Sequence, residues 1–288
     1  MILSYHPCFE ADENRLCAGR FPDENDLALI QSADAVVLPQ GCSKELYRMI
    51  SLNCARFFPD YTARFAYPGK IGQARLFQEI GASCPDTKVF ERFSDYVESC
   101  QNNDSLAPSY PFVLKMDWGG DGDNVHLIAS TDDLECRLEQ VKAYEATGQQ
   151  GFLIQRYIPS GFRSLRVVVI YRRYESYWRS HDQPDINKSE GCSQPPFCAS
   201  LSKGARVDSV SDPELQERAV HAVREFCART HINLAGFDIL FSSDEKLPVP
   251  LFLEINYFFG RQGFGGSEAY YALLVEQIQS WIADHNLR

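Results

Sequence analysis

The chain alternates between short apolar runs and longer segments whose apolar side chains recur every three or four positions. Near the N-terminus, the run ADAVVLPQG ends in turn residues, SKELYRMISLN has the wider spacing, and RFFPD is again short and apolar. Short apolar runs bounded by turn residues are typical of strands, whereas the wider spacing is typical of helices. Residues 1–66 are therefore predicted to form a small βαβ-like lobe.

A second lobe, of α+β type, is predicted over residues 67–158. Its first helix should begin at Lys70, because the apolar residues that follow share one helical stripe, and it should end at Gly81. The runs PFVLKM, NVHLIAS and FLIQRYI predict three strands. A helix over residues 131–147 is expected between the second and third of these strands.

A third lobe is predicted over residues 159–288. The runs LRVVVIY and SYWRS predict a strand pair, and the polar, proline-rich residues 182–196 predict a loop. Asp212 followed by Pro213 predicts the capped start of a helix. The segments LAGFDILF and LFLEIN predict two further strands before a terminal amphipathic helix. The whole pattern is that of an α/β protein.

The last two strands carry the most informative acidic residues. If their connecting loop is symmetric about Lys246, Asp238 lies opposite Glu254 in an antiparallel hairpin, with β-carbons about 5 Å apart. Asn256 joins the same face, because side chains alternate along a strand. Two carboxylates and an amide suit a hard cation that also binds phosphate oxygens. The alternative from the residues alone is a solvated strand face.

A lysine interrupts the apolar strand PFVLKM, and glycines follow it in WGGDGDN. Gly119, Gly120 and Gly122 let backbone N–H groups approach an anion, while Lys115 supplies a point charge. The pair suggests a phosphate-binding site, although the chain contains no GxxxxGK[ST] loop. Taken alone, Lys115 fits an edge-strand lysine whose ammonium group reaches solvent better than a phosphate ligand.

Composition narrows the possible partners and compartment. The formal net charge of -11 over 288 residues argues against a nucleic-acid-binding surface. No run approaches the roughly 18 apolar residues of a membrane span, and the first residues do not resemble a secretion signal, so a cytoplasmic protein is expected. The ten cysteines include no CxxC pair and are expected to be reduced thiols.

The motifs occur in the order of the ATP-grasp superfamily, and the chain resembles bacterial glutathione synthetase and the RimK-type amino-acid ligases most. The resemblance covers residues 70 to about 260. Its landmarks are the helix from Lys70, the lysine Lys115 before a glycine loop, the segment IQRYIPSG, and the hairpin that ends in LEIN. It implies an ATP-grasp fold, in which two α+β lobes clasp ATP, here preceded by the short N-terminal lobe.

The resemblance also implies roles for single residues. Lys70 and Lys115 hold ATP phosphates, WGGDGDN closes over them, and IQRYI lines the adenine, with main-chain groups near Arg156 and Ile158 reading its edge. The nucleotide contacts implied in this way are Lys70, Lys115, Trp118, Gly119, Gly120, Gly122, Gln155, Arg156, Tyr157 and Ile158. Relatives often carry Glu or Asn where this chain has Arg156, but main-chain recognition tolerates that change.

Catalytic and metal-binding roles follow from the same resemblance. Arg166 matches the arginine near the reacting phosphate, and Lys115 and Arg179 are the other implied catalytic residues. The hairpin is implied to bind the metal, which is magnesium or manganese. The implied metal ligands are Asp238, Glu254 and Asn256. Lys203 and Arg261 are further candidates for substrate binding, for which an ordinary surface charge is the alternative.

The expected activity is that of an ATP-dependent carboxylate–amine ligase, which forms an acylphosphate that an amine attacks. Its partners would be small-molecule carboxylate and amine substrates, with neither nucleic acid nor membrane, and a homodimer is possible. Two alternatives remain open. An ATP-grasp phosphotransferase acting on a hydroxyl would share the nucleotide residues, and a nucleotide-binding module without turnover would explain the departures from the family pattern.

Overall fold

The computed structural model describes residues 1–102, 108–119, 124–180 and 205–287. Within these residues the chain forms three sheets, which follow one another along the sequence. None of the described helices combines the length and the apolar character that crossing a bilayer requires.

The first sheet is parallel, with strand order β2-β1-β3-β4. Its elements are β1 (Ile2–Ser4), β2 (Glu13–Asn14), α1 (Glu24–Ser32), β3 (Ala35–Val37), α2 (Lys44–Asn53), β4 (Phe57–Phe58) and, after the sheet, α3 (Thr62–Ala66). The predicted strand–helix–strand order is present as β3, α2 and β4. The other two strands were not predicted: β2 consists of the polar residues Glu13 and Asn14, and only two of the three residues of β1 are apolar.

The second sheet is antiparallel, with strand order β5-β8-β6-β7. Its elements are α4 (Gly69–Ile80), β5 (Thr87–Phe90), α5 (Phe93–Gln101), β6 (Phe112–Met116), β7 (Val125–Ile128), α6 (Thr131–Glu145) and β8 (Phe152–Arg156). The predicted helix from Lys70 is confirmed as α4. It ends at Gly81, whose φ of 68° lies in the left-handed region that favours glycine.

The third sheet is antiparallel in every pairing, with strand order β11-β10-β9-β12-β13. Its elements are β9 (Arg163–Ile170), β10 (Arg173–Ser180), β11 (Arg206–Asp208), α7 (Pro213–Thr230), β12 (Leu234–Leu240), β13 (Leu251–Asn256), a short 3-10 helix (Gln262–Phe264) and α8 (Ser267–Asp284). The predicted proline-rich loop, residues 182–196, lies outside the described residues.

Strand β9 is buried on both faces, which explains its uninterrupted apolar run. Val167 and Val169 belong to a buried cluster that the third sheet shares with α7 and with the first sheet. Val168 and Ile170 point the other way, into a cluster completed by α8. Arg166 is therefore a charged residue placed within one of the most buried strands of the chain.

The predicted start of α7 is confirmed, with Asp212 at the N-cap position and Pro213 as the first helical residue. Asp212 has a φ of 48°, however, and its side chain makes no capping hydrogen bond. Its carboxylate instead accepts a hydrogen bond from Arg163 and forms an ion pair with it. The lobe boundaries at residues 66 and 158 stay predictions, although each sheet is built from strands within one predicted lobe.

Candidate functional site

The acidic hairpin has the register that the sequence predicts. Asp238 of β12 pairs with Glu254 of β13, and Gly236 pairs with Asn256, with a register shift directly after Asp238. Side chains directly opposite in an antiparallel ladder share a face. Both carboxylates therefore lie on one face of the sheet, and Asn256 lies beside them.

Asp238 is surrounded by positive charge. It is 6% exposed, and Arg166 lies opposite it on β9. Arg166 Nη2 donates to Oδ2 of Asp238 at 3.0 Å, Arg166 Nε donates to Oδ1, and Arg179 Nη2 lies 2.7 Å from Oδ1. Burial alone would raise the pKa of this carboxyl, but the two guanidinium groups outweigh it and the net pKa is lowered. Asp238 is therefore ionised and firmly held.

Asn256 and Ser164 complete this cluster. Asn256 Nδ2 donates to Oδ2 of Asp238 at 3.2 Å, and Arg179 Nη2 donates to Oγ of Ser164 at 2.9 Å. Gly236 makes room for the arginine: a β-carbon at that position would lie 3.0 Å from Cδ of Arg166. Arg166 therefore packs closely over this glycine.

Glu254 has the opposite electrostatic balance. Its pKa is raised, first by burial and then by the negative charge of Asp238, while Lys115, Lys70 and Arg166 partly oppose this shift. A carboxylate with a raised pKa is stabilised by an added cation. Within the described residues, no three histidine, cysteine or acidic side chains come together as a metal site of their own. Glu254 and the Asn256 amide thus fit a divalent cation that takes further ligands from phosphate, and Asp238 would join them by giving up a bond to an arginine.

The two predicted phosphate lysines line one cavity with Glu254. This cavity lies between α4, the second sheet and β13, and its lining includes Lys70, Lys115, Gln155, Leu253 and Glu254. Gln73 fixes α4 against β13, because its side-chain amide exchanges two hydrogen bonds of 2.8 Å with the backbone of Ile255. The acidic strand and the helix that carries Lys70 are thereby held in register.

Lys70 contacts the glycine loop directly. Its Nζ donates to the carbonyl oxygens of Trp118 at 3.2 Å and of Gly119 at 3.0 Å. Asp117 anchors the same loop, since its carboxylate accepts the Ile71 N–H at 2.7 Å. Gly69 permits that contact: its φ is 70°, and a β-carbon there would lie 2.5 Å from the carboxylate oxygens. The start of α4 and the loop therefore form one unit.

No protein-family model and no curated protein matches the sequence. Several solved structures match the fold. VanG D-Ala:D-Ser ligase from Enterococcus faecalis has a TM-score of 0.63 and 13% identity, over 86% of this chain and 73% of its own. An ATP-grasp RimK domain protein from Sphaerobacter thermophilus has a TM-score of 0.61 and 14% identity, over 96% and 98%. D-alanine–D-alanine ligase from Bacillus anthracis complexed with ATP has a TM-score of 0.60 and 13% identity, over 96% and 89%.

The chain has the ATP-grasp fold. The fold and the α/β class predicted from the sequence are therefore confirmed. At these identities the likeness concerns the fold, and the roles of single residues depend on the geometry of this chain.

Within the ATP-grasp fold, the predicted hinge residues occupy different environments. Gln155 is buried and donates from Nε2 to Oγ1 of Thr87 at 2.8 Å. Arg156 is exposed, and its N–H is already bonded to the carbonyl oxygen of Asp86 at 2.8 Å. Tyr157 and Ile158 follow the end of β8, with Ile158 buried. The Arg156 N–H is thus engaged within the sheet.

The remaining predicted residues divide into three groups. Trp118 and Gly119 are at the loop that contacts Lys70, whereas Gly120, Gly122 and Lys203 lie outside the described residues. Arg261 stacks on Tyr271, with its guanidinium carbon 4.4 Å from the ring centroid, and does not join the Asp238 cluster. The nucleotide, catalytic and metal roles of all these residues stay predictions.

Sequence reasoning missed several residues of this candidate site. Thr87 lines the cavity and orients Gln155, but the short strand that carries it was not predicted. Cys84 also lines the cavity, and burial raises the pKa of its thiol. Tyr177 lies opposite Arg166 on β10. Its position two residues before Arg179, on the same strand face, was the available signal.

Proposed function

We propose that the protein is an ATP-dependent carboxylate–amine ligase with one catalytic site between the second and third sheets. The observation that carries the proposal is that basic and acidic side chains lie together around one cleft. Lys70, Lys115 and Glu254 line one cavity, and Glu254 is paired in the ladder with Asp238, which two buried arginines hold. Charged residues are rarely buried together without a ligand or partner that uses them.

The cavity would take the nucleotide. Lys70 and Lys115 would bind its phosphates, and Gln155, which lines the same cavity, would contact the base. Lys70 would exchange its two loop carbonyls for phosphate oxygens, which are stronger acceptors. The ATP complex of D-alanine–D-alanine ligase, which shares the fold, supports ATP as the nucleotide.

Magnesium would be held by Glu254, Asn256 and Asp238 together with phosphate oxygens. When bound, it neutralises phosphate charge and so makes the terminal phosphorus more open to attack. The raised pKa of Glu254 supports this assignment, because a cation beside it relieves both its burial and its repulsion from Asp238.

The reaction proposed is transfer of the terminal phosphoryl group to a carboxylate, followed by attack of an amine on the acylphosphate. Arg166 and Arg179 would stabilise the negative charge that develops on the transferred group. Both side chains are less than 10% exposed, and such charges act more strongly in a site shielded from water. Asp238 orients the two guanidinium groups for this task.

Hydroxylamine trapping tests the proposal without knowledge of the natural amine. The protein is incubated with ATP, magnesium, hydroxylamine and a panel of amino acids, dipeptides and small diacids, and both ADP and hydroxamate are measured. A carboxylate that yields the two products in equal amounts supports a ligase. A stable phosphate ester formed from a hydroxyl compound, without hydroxamate, would identify a phosphotransferase instead.

Arg166→Lys is the variant for this assay. It keeps the positive charge but loses the two parallel bonds to Asp238, so turnover should fall by at least about tenfold. Arg173→Lys, on the exposed end of β10, is the matched control and should retain activity.

A further inference from the structure

Two buried polar atoms at this site have no hydrogen-bond partner among the described residues. They are the hydroxyl of Tyr177 and the Nε of Arg179. Tyr177 is 2% exposed and Arg179 is 7% exposed, so bulk water does not satisfy them. Buried polar groups in folded proteins are nearly always hydrogen-bonded, and exceptions mark places where a ligand or ordered water binds.

The two atoms belong to one face of the third sheet. Tyr177 and Arg179 are two residues apart on β10, so their side chains leave the strand on the same side. Tyr177 pairs with Arg166, and Arg166 pairs with Asp238. The unpartnered groups are therefore neighbours of the guanidinium–carboxylate cluster.

Both unpartnered atoms are hydrogen-bond donors under neutral conditions. Burial raises the pKa of Tyr177, and the charges of Arg166 and Arg179 only partly oppose that effect, so the phenol keeps its proton. Arg179 uses its Nη2 for Asp238 and Ser164, which leaves the Nε–H. These two donors therefore need an acceptor oxygen from a bound molecule.

The charge of the cluster selects the kind of oxygen. Two guanidinium groups, from Arg166 and Arg179, share the single carboxylate of Asp238, and the charge of Glu254 acts on Arg166 more weakly than that of Asp238, so positive charge stays in excess beside Tyr177. A buried excess charge is strongly unfavourable unless a counter-ion neutralises it. A neutral hydroxyl would satisfy the donors but leave that charge, whereas a carboxylate satisfies both requirements.

We propose that the Tyr177 hydroxyl and the Arg179 Nε bind one oxygen of the carboxylate that receives the phosphoryl group. This inference rests on the proposed ligase function and names a substrate-binding residue for it. The turn after β13 then limits the size of the substrate at this point. Phe264 meets the Tyr177 ring edge-on at 6.2 Å between centroids, and a β-carbon on Gly263 would lie 2.2 Å from that ring.

The test is a titration with sodium acetate, in the absence of ATP and magnesium and at constant ionic strength. Tyrosine near-ultraviolet difference absorption is recorded, because a hydrogen bond from the phenol to an anion shifts this band. We expect a saturable shift in the wild type that is absent in Tyr177→Phe. Arg179→Lys should weaken the apparent affinity for acetate by at least about tenfold.

Tyr174→Phe is the matched control. Tyr174 is on the same strand but packs against Arg224 of α7, and its removal should leave the acetate-dependent shift intact. Thermal melting of each variant shows whether it is folded. If Tyr177→Phe does not fold, the loss of acetate affinity in Arg179→Lys still tests the proposal. A shift that persists in Tyr177→Phe, or a wild type without a saturable shift, overturns the proposal.

The acetate titration and the hydroxylamine assay together distinguish failure of the subsite from failure of the ligase function. Acetate binding that depends on Tyr177, in a protein that hydrolyses no ATP with any carboxylate, would keep the anion subsite and reject the ligase. Hydroxamate formation that is unchanged in Tyr177→Phe would keep the ligase and reject the subsite.

Discussion

Asp238 and Glu254 face each other in one ladder, yet their charges are balanced in different ways. Asp238 has two arginine partners, and its pKa is lowered. For Glu254, burial and the charge of Asp238 outweigh Lys115, Lys70 and Arg166, and its pKa is raised. Removing the charge of Glu254 and removing that of Asp238 should therefore have opposite effects on the stability of the metal-free protein.

Glu254→Gln should leave the metal-free protein at least as stable as the wild type at neutral pH. The pKa of Glu254 in the folded protein lies above its usual 4.5, so its contribution to stability is lost as pH rises from about 4.5 through the raised value. Glu254→Gln should not lose stability over this pH range, because glutamine does not ionise. With magnesium and ATP the order should reverse, because an amide binds a hard cation less well than a carboxylate.

Parallel melting curves with and without Mg-ATP measure both effects. Turnover of the variant should also fall by at least about tenfold. Glu245→Gln, in the exposed loop of the same hairpin, is the control. Equal nucleotide-dependent shifts in wild type and Glu254→Gln would remove Glu254 from the site.

Asp238→Asn should be strongly destabilising, by about 3–5 kcal/mol, because it leaves two buried guanidinium groups without their counter-ion. Urea denaturation at neutral pH measures the change. Asp244→Asn, in the hairpin loop, should change stability by less than about 0.5 kcal/mol. A small effect at both positions would show that the arginines have another source of neutralisation.

At the scale of single residues, the sequence predicts the acidic pair well and its environment poorly. Strand alternation and a symmetric loop are sufficient to place Asp238 opposite Glu254. The bond from Arg166 to Asp238 spans 72 positions and depends on the order of strands in the sheet, which no local pattern contains. From the sequence, two facing carboxylates predict that losing either charge relieves their repulsion. For Asp238 this is wrong, because Arg166 and Arg179 depend on its charge.

At the scale of elements, the turn between β13 and α8 is fitted closely to the strand beneath it. Gly263, in the short 3-10 helix, lies so near the Tyr177 ring that a β-carbon would meet it at 2.2 Å. The ring is buried and cannot swing away without disturbing its neighbours. The turn and β10 must therefore move together or not at all.

Gly263→Ala should accordingly destabilise the protein by about 1–3 kcal/mol through overpacking. Gly260→Ala in the same turn is the matched control, since a β-carbon there meets no atom within 4 Å. Chemical denaturation of the two variants gives the comparison. Equal stability of both would mean that the turn is free to shift away from Tyr177.

The elements that the sequence predicts best are those with long or uninterrupted apolar patterns. The helix at α4, the doubly buried β9 and the hairpin of β12 and β13 are all present. The strands β1, β2, β5 and β11 were missed, because each has only two to four residues and none of them contains more than two consecutive apolar residues. This matters for the site, because Thr87 on β5 orients Gln155.

At the scale of the whole molecule, the buried His6 and the half-buried His126 should make stability depend on pH. Burial lowers the pKa of His6 to about 4, with a further contribution from Arg261. Burial also lowers the pKa of His126 to about 4, here aided by Arg137. A lowered pKa means that the unfolded chain binds protons first, so stability present above about pH 6.5 is lost as pH falls toward 4.

His6→Gln should reduce this slope by up to about 1.4 kcal/mol per pH unit between pH 6.5 and 4. Urea denaturation across that range measures it. An identical slope in wild type and His6→Gln would show that His6 is protonated in the folded protein.

Calorimetric titration with Mg-ATP tests the central claim most directly, which is that the cavity between α4, the second sheet and β13 binds the nucleotide. We expect saturable binding with a Kd below about 1 mM. Lys70→Met should weaken binding by at least about tenfold, whereas Lys246→Met in the exposed hairpin loop should not. A wild type that binds no Mg-ATP at millimolar concentration, or binding that is unaffected in Lys70→Met, would contradict the account.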